Sequence, residues 1–179
     1  MCRPKRRRRR NRHATVAGVS RSETDRHPLL EPVAFLLGTW AGDGAGLWAG
    51  GFDFEDSLEF HHDGRPMIEF RQATRTREGR PSHGEAGYLL AREGGVVHLT
   101  VAEPSGITET LTGRAGDGRI TLESVEIGHA PGTSRVTRTA RRFRMDGDTL
   151  VAEVDIAVND EALAPHTRSV LHRSVASDA

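Results

Sequence analysis

Nine histidines are the main source of ligand chemistry in this chain. A neutral imidazole nitrogen binds transition-metal ions, and a protonated one donates hydrogen bonds from both ring nitrogens. Most of the nine read as ordinary surface or turn residues. His61 and His62 are adjacent at a strand end and point to opposite faces, so they cannot hold one ion together. His129 adjoins a turn, and His13 and His27 lie near the polar N-terminal stretch. Two others stand apart. His83 opens the strand-like "SHGEAGYLL", where Gly84 and Gly87 leave room for a bulky group. His166 follows Pro165 at the start of "PHTRSVLHR", where a rigid strand edge can aim a side chain into a cavity. On residue type and position alone, a structural role and a ligand role stay open for both.

Other chemistries lack their residues. The chain has no nucleophile elbow, no phosphate-cradling glycine loop and no zinc-protease helix. "GDGAG", from Gly42 to Gly46, shares glycine spacing with dinucleotide loops but has no strand-helix-strand context, and it reads as a bend or close backbone approach. Cys2 is the only cysteine, which excludes an intramolecular disulfide and a cysteine-built metal site and fits a reducing cytoplasm.

The formal net charge of +0 hides an asymmetry, because eight of the 25 basic residues fall within the first twelve positions. Without them the body carries 17 basic against 25 acidic residues. Nucleic acid is therefore a candidate partner for the tail alone, since an acidic body repels phosphate. Residues 1–26 read as a disordered basic tail, and a misassigned start codon would also account for them. The arginine run is followed by no apolar segment of signal-peptide or membrane-spanning length, so neither export nor a membrane partner is expected.

The elements that must position His83 and His166 are strands. "LVAEVDIAV" sets Leu150, Ala152, Val154, Ile156 and Val158 against Glu153 and Asp155, the period-2 pattern of a strand with one buried face. "MIEFRQATR" and "VVHLTVAE" alternate likewise, and "HDGRP", "EGG", "EPSG", "GDG", "APGT" and "DGD" supply turns between such stretches. Nine or ten strands with no long helix predict an antiparallel meander, and closure into a barrel removes its exposed edges. A barrel of that size holds a small cavity, where function is expected. Ahead of it, "HPLLEPVAFLLG" carries Pro28 and Pro32 and predicts a short helical or 3₁₀ plug, with Phe35 to Leu37 closing one end. The expected domain covers residues 27–175, with 176–179 a C-terminal tail.

Several stretches together are more specific. "PLLEPVAFLLGTWAGDGAG", "FEDSLEFHHDGRPMIEF", "GRPSHGEAGYL", "VAEPSGITETLTG", "APGTSRVTRTARRFRMDGDTL" and "ALAPHTRSVLHR" resemble, in order and spacing, the nitrobindin family of haem-binding β-barrels. The likeness runs from about His27 to Arg173 and includes the GxWxGxG element at Gly38, Trp40, Gly42 and Gly44. The resemblance implies a ten-stranded antiparallel closed barrel, like those of fatty-acid-binding proteins and lipocalins, that holds ferric haem b. It implies His166 as axial iron ligand, His83 on the other side of the haem, isomerisation of peroxynitrite to nitrate, and nitric oxide binding. A homodimer is left open. Two positions depart from the family pattern: Gly50 replaces a threonine that lies against the haem, and Ser134 replaces a lysine, with Arg135 the candidate substitute partner for a propionate. Arg168, two residues beyond His166, shares its face by strand parity. The alternative expectation is a barrel with weak or no haem affinity that holds an apolar small molecule or senses nitric oxide.

Overall fold

The computed structural model describes residues 25–159 and 161–174. The expectations for the arginine-rich tail and for residues 176–179 fall outside them.

The chain enters through a 3₁₀ helix, Pro28–Leu36. Pro28 and Pro32 lack the N–H groups a regular α-helix needs, and His27 Nδ1 accepts the Leu29 N–H at 3.2 Å as a cap. With three residues per turn, Leu30, Val33 and Leu36 fall on one stripe, and all three are fully buried. The plug is therefore this stripe, whereas Phe35 and Leu37 pack only half-buried at its rim.

Ten strands follow: β1 (Gly38–Gly46), β2 (Asp53–His61), β3 (Met67–Thr76), β4 (Pro81–Ala91), β5 (Val96–Ala102), β6 (Ile107–Gly116), β7 (Arg119–His129), β8 (Val136–Asp146), β9 (Thr149–Val158) and β10 (Ala164–Ser174). Each pairs antiparallel with its chain neighbours, and β1 pairs with β10 to close the barrel. Every segment expected to turn does so, and the period-2 pattern sends Ile68, Phe70, Val97, Leu99 and Leu150 into the core as read from the sequence.

Core and cavity divide the barrel between them. The half next to the plug is filled by apolar side chains, among them Trp40, Phe60, Phe70 and Leu111. Trp40 is fully buried, its Nε1–H donates to the Leu36 carbonyl at 2.7 Å, and the Arg173 guanidinium lies 4.4 Å above its ring. The other half is open. There β1 presents glycines inward where it would otherwise present side chains. A Cβ on Gly42 would sit 2.2 Å from the Val170 carbonyl oxygen, and one on Gly44 would sit 2.2 Å from the Phe54 ring. "GDGAG" is thus backbone relief that lets β1 coil against β10 and makes space for an aromatic ring.

Candidate functional site

A cavity of about 490 Å³ occupies the open half, within the size range of small-molecule sites. Its upper wall is apolar, formed by Phe54, Ile107, Val136, Val154, Ile156 and Val158. Ser134 also lines it, whereas Gly50 does not: that residue sits in the β1–β2 loop at φ +82°, with nothing within 4 Å of a notional Cβ.

Both candidate histidines face this cavity, and each owes its aim to a break in strand register. Pro165 pairs with Asp155 and Thr167 with Val154, so His166 is one residue too many on β10. This bulge turns His166 and Thr167 to the same side, and both line the cavity. Strand parity fails there. Arg168 does not share the face of His166 but points outward, 3.5 Å from Glu153. On β4 the register slips between Ala73 and Arg75, and His83 donates its backbone N–H to the Thr74 hydroxyl at 2.9 Å. The room expected beside Gly87 is absent, whereas a Cβ on Gly84 would meet only the Gln72 carbonyl oxygen at 3.4 Å. A Cβ on Gly87 would meet the Thr100 carbonyl oxygen at 1.8 Å, so that glycine marks a close strand approach.

The two imidazoles have opposite electrostatics. Burial, then the charge of His83, lowers the pKa of His166, so its ring is neutral at pH 7. No described residue hydrogen-bonds to that ring; Trp48 stacks on it instead, with centroids 4.4 Å apart and planes 19° from parallel. His83 is 40% exposed and places Nε2 3.1 Å from Glu85 Oε1. That hydrogen bond raises its pKa despite partial burial, the opposite direction from His166.

Glu85 can hold this role because of a charge network between cavity and core. Arg141, 3% exposed, donates to both Glu85 oxygens at 2.5 and 3.0 Å and to Glu109 at 2.5 Å. Thr139 also donates to Glu109. Burial by itself would raise the Glu85 pKa, but Arg141 and His83 more than reverse this and hold it at about 2. His83, Glu85 and Glu103 bring ligand atoms within 4.8 Å of one another. Glu85 is already committed to a guanidinium, however, so a divalent ion there would face a fixed positive charge. A third buried carboxylate, Asp56, accepts from Ser169 at 2.6 Å and from Gln72 at 3.0 and 2.9 Å, tying β2, β3 and β10 together.

The other described histidines have local roles or none, and His13 lies outside the described residues. His27 and His62 accept backbone N–H groups through Nδ1, and His61 lies 3.8 Å from Glu59 at the surface. Gly38 and Trp40 belong to the plug end and support the fold, not the cavity. Sequence reasoning missed Trp48, Glu85, Glu109 and Arg141. The three charged residues did leave a signal: Glu85 alternates with Leu89, Glu109 with Ile107 and Leu111, and Arg141 with Phe143, so each stands at an inward position of an apolar strand face.

The donors present fit a haem. His166 offers a neutral nitrogen without a competing partner, beside apolar side chains suited to a porphyrin face; it would hold the iron, which could still take a small molecule. The comparisons with known proteins agree. A family model described as "THAP4-like, heme-binding beta-barrel domain" matches residues 29–173. The chain is 39% identical over 157 residues to "Peroxynitrite isomerase 1" of Mycolicibacterium paratuberculosis, covering 84% of this chain and 98% of that protein. It is 38% identical over 154 residues to "Peroxynitrite isomerase" of Nocardia farcinica, covering 82% and 92%. The crystal structure of Rv2717c from M. tuberculosis superimposes with a TM-score of 0.77 at 37% identity, covering 84% of this chain and all of that one. Barrel, cavity and sequence therefore agree, and the chain belongs to the family of THAP4-like haem-binding β-barrel domains.

Proposed function

We propose that this protein binds ferric haem b through His166 and isomerises peroxynitrite to nitrate, with nitric oxide as a second ligand of the same site. The observation that carries the reading is the pair of imidazoles in one cavity: His166 neutral and free of hydrogen bonds to described residues, His83 hydrogen-bonded to a buried carboxylate that raises its pKa. The names of the curated relatives supply the substrate.

When bound, the haem supplies a Lewis-acidic iron at which the peroxynitrite anion rearranges. The reaction moves an oxygen within one anion, so it needs no electron donor and leaves the charge unchanged. The protein's own residues bind, orient and exclude. His166 presents its nitrogen lone pair into the cavity, and Val154, Ile156 and Val158 keep water from the wall beside it. His83 Nε2 lies against Glu85, and protonation of the ring, which that carboxylate favours, would leave Nδ1–H as a charged donor for an anionic substrate. Arg141 keeps Glu85 ionised, and the ionised Glu85 raises the pKa of His83. This polar floor sits poorly with a purely apolar ligand. A cytoplasmic location is inferred from the single cysteine, and among the described residues no helix is long and apolar enough to cross a membrane.

The test is reconstitution with haem b followed by absorbance spectroscopy and a stopped-flow peroxynitrite assay. A Soret band in the wild type that is lost or shifted in His166→Ala supports the reading; an unchanged spectrum in that variant sinks the ligand assignment. No haem uptake together with a lipid retained in native mass spectrometry would overturn it in favour of an apolar-ligand barrel.

A further inference from the structure

A histidine that binds a metal is ordinarily held in orientation by a hydrogen bond from its second ring nitrogen. Among the described residues none makes that bond to His166. Resting on the haem reading above, we propose that Trp48 replaces it: the stacked indole is the positioning residue that sets the plane of the His166 ring.

The β1–β2 loop is built for this contact. Leu47 N–H donates to the His166 carbonyl at 2.7 Å, so the loop grips the backbone of the residue whose side chain the indole covers. Gly46 N–H donates to the Phe52 carbonyl at 3.0 Å, and Gly51 N–H donates to the Trp48 carbonyl at 2.9 Å, which closes the loop on itself. Phe52 meets the indole edge-on at 6.0 Å and packs in turn on Phe54 at 6.2 Å. The third inward glycine of β1 completes the cradle, because a Cβ on Gly46 would sit 2.4 Å from the indole ring. Backbone and side chain of His166 are thus both fixed by one loop.

The geometry suits a ligand. A stack covers a ring face, whereas imidazole lone pairs lie in the ring plane, so the indole orients the ring without competing for the nitrogen. A hydrogen bond would have set one edge of the ring; the stack sets its plane. It also keeps water from that face.

The test compares full-length wild type, Trp48→Ala and Trp48→Phe. In haem-free protein, NMR should find the His166 ring protons shifted upfield by the indole, with the shift lost in Trp48→Ala and partly kept in Trp48→Phe. In haem titrations Trp48→Ala should weaken binding about tenfold, the scale of losing a ligand-orienting partner, and Trp48→Phe should recover most of it. Electron paramagnetic resonance of the ferric complex should broaden in Trp48→Ala and sharpen again in Trp48→Phe as the ligand plane is fixed. Trp48 is 39% exposed and stands outside the core, and a circular-dichroism melt checks that the variants fold. Unchanged or tighter haem binding by Trp48→Ala would overturn the proposal and make the indole a plug that competes for the cavity. Failure of the haem reading itself would show differently, as a His166→Ala spectrum identical to wild type, while the NMR shifts would still report the stack.

Discussion

Removal of the Arg141 charge as Arg141→Met tests the network beneath the cavity most directly. Arg141, Glu85 and Glu109 are 3%, 6% and 2% exposed, so the substitution leaves two carboxylates in the barrel interior with their shared cation gone. Breaking a buried ion pair from one side costs about 3–5 kcal/mol. A second route gives a similar figure. Glu85 is held at about 2 rather than its ordinary 4.5, which corresponds to about 3 kcal/mol of stability. The sign follows from the depressed value: this contribution is complete above pH 4.5 and is lost as pH falls toward 2. In the variant the unpaired carboxyls take up protons more readily, because burial is no longer opposed. The deficit should therefore be largest at neutral pH and shrink on acidification. At roughly 2–4 °C per kcal/mol for a domain of this size, the expected loss at pH 7 is about 6–20 °C in Tm. Thermal and urea melts at pH 7 and pH 4.5 measure the shift in Tm and in free energy, with the triple variant Glu85→Gln, Glu109→Gln, Arg141→Met as control. Replacing a whole buried network is often neutral, so the triple variant should recover much of the loss. A deficit under about 1 kcal/mol at pH 7, or a triple variant no better than Arg141→Met, would refute the reasoning.

Three further outcomes are expected. Glu85→Gln removes the anionic partner 3.1 Å from His83, so the His83 titration followed by NMR should move down toward that of an ordinary histidine, and stability held by the charged pair should no longer fall as pH rises through the former value. Haem should be released on acidification as His166 gains a proton, at a pH below the ordinary histidine value because burial opposes that charge; a spectrophotometric titration showing release at or above it would contradict the assignment. Gly42→Ala and Gly44→Ala should differ in kind: the first drives a methyl into the Val170 carbonyl and costs about 1–3 kcal/mol in denaturant melts, whereas the second displaces the Phe54 ring toward the cavity and should lower haem affinity more than it lowers stability.

The barrel was legible because its signals are local. Alternation along β3, β5 and β9 and turn chemistry between strands depend on residues a few positions apart, and 3₁₀ spacing of Leu30, Val33 and Leu36 follows from two prolines. Family motifs singled out His83 and His166, and both face the cavity. Two expectations beside them failed: Gly87 marks a close strand approach where room was expected, and Arg168 points away from the face of His166. Parity was the cause of the second error. A bulge moves every later side chain to the other face, and nothing in "PHTRSVLHR" marks the extra residue.

By itself, then, the sequence determined a closed barrel of nine or ten strands and its plugged end, while Glu85, Glu109 and Arg141 stood unread at inward positions of their strands. Tertiary structure decided which of these meet. Glu85 and Arg141 are 56 residues apart and touch only because the closed barrel carries β4 and β8 to opposite sides of one lumen. Trp48 finds His166 only because β1 and β10, first and last in the chain, pair at closure and bring the loop after Gly46 against the bulge at Pro165. Alternation is set residue by residue, but register around a closed sheet is set by all ten strands together.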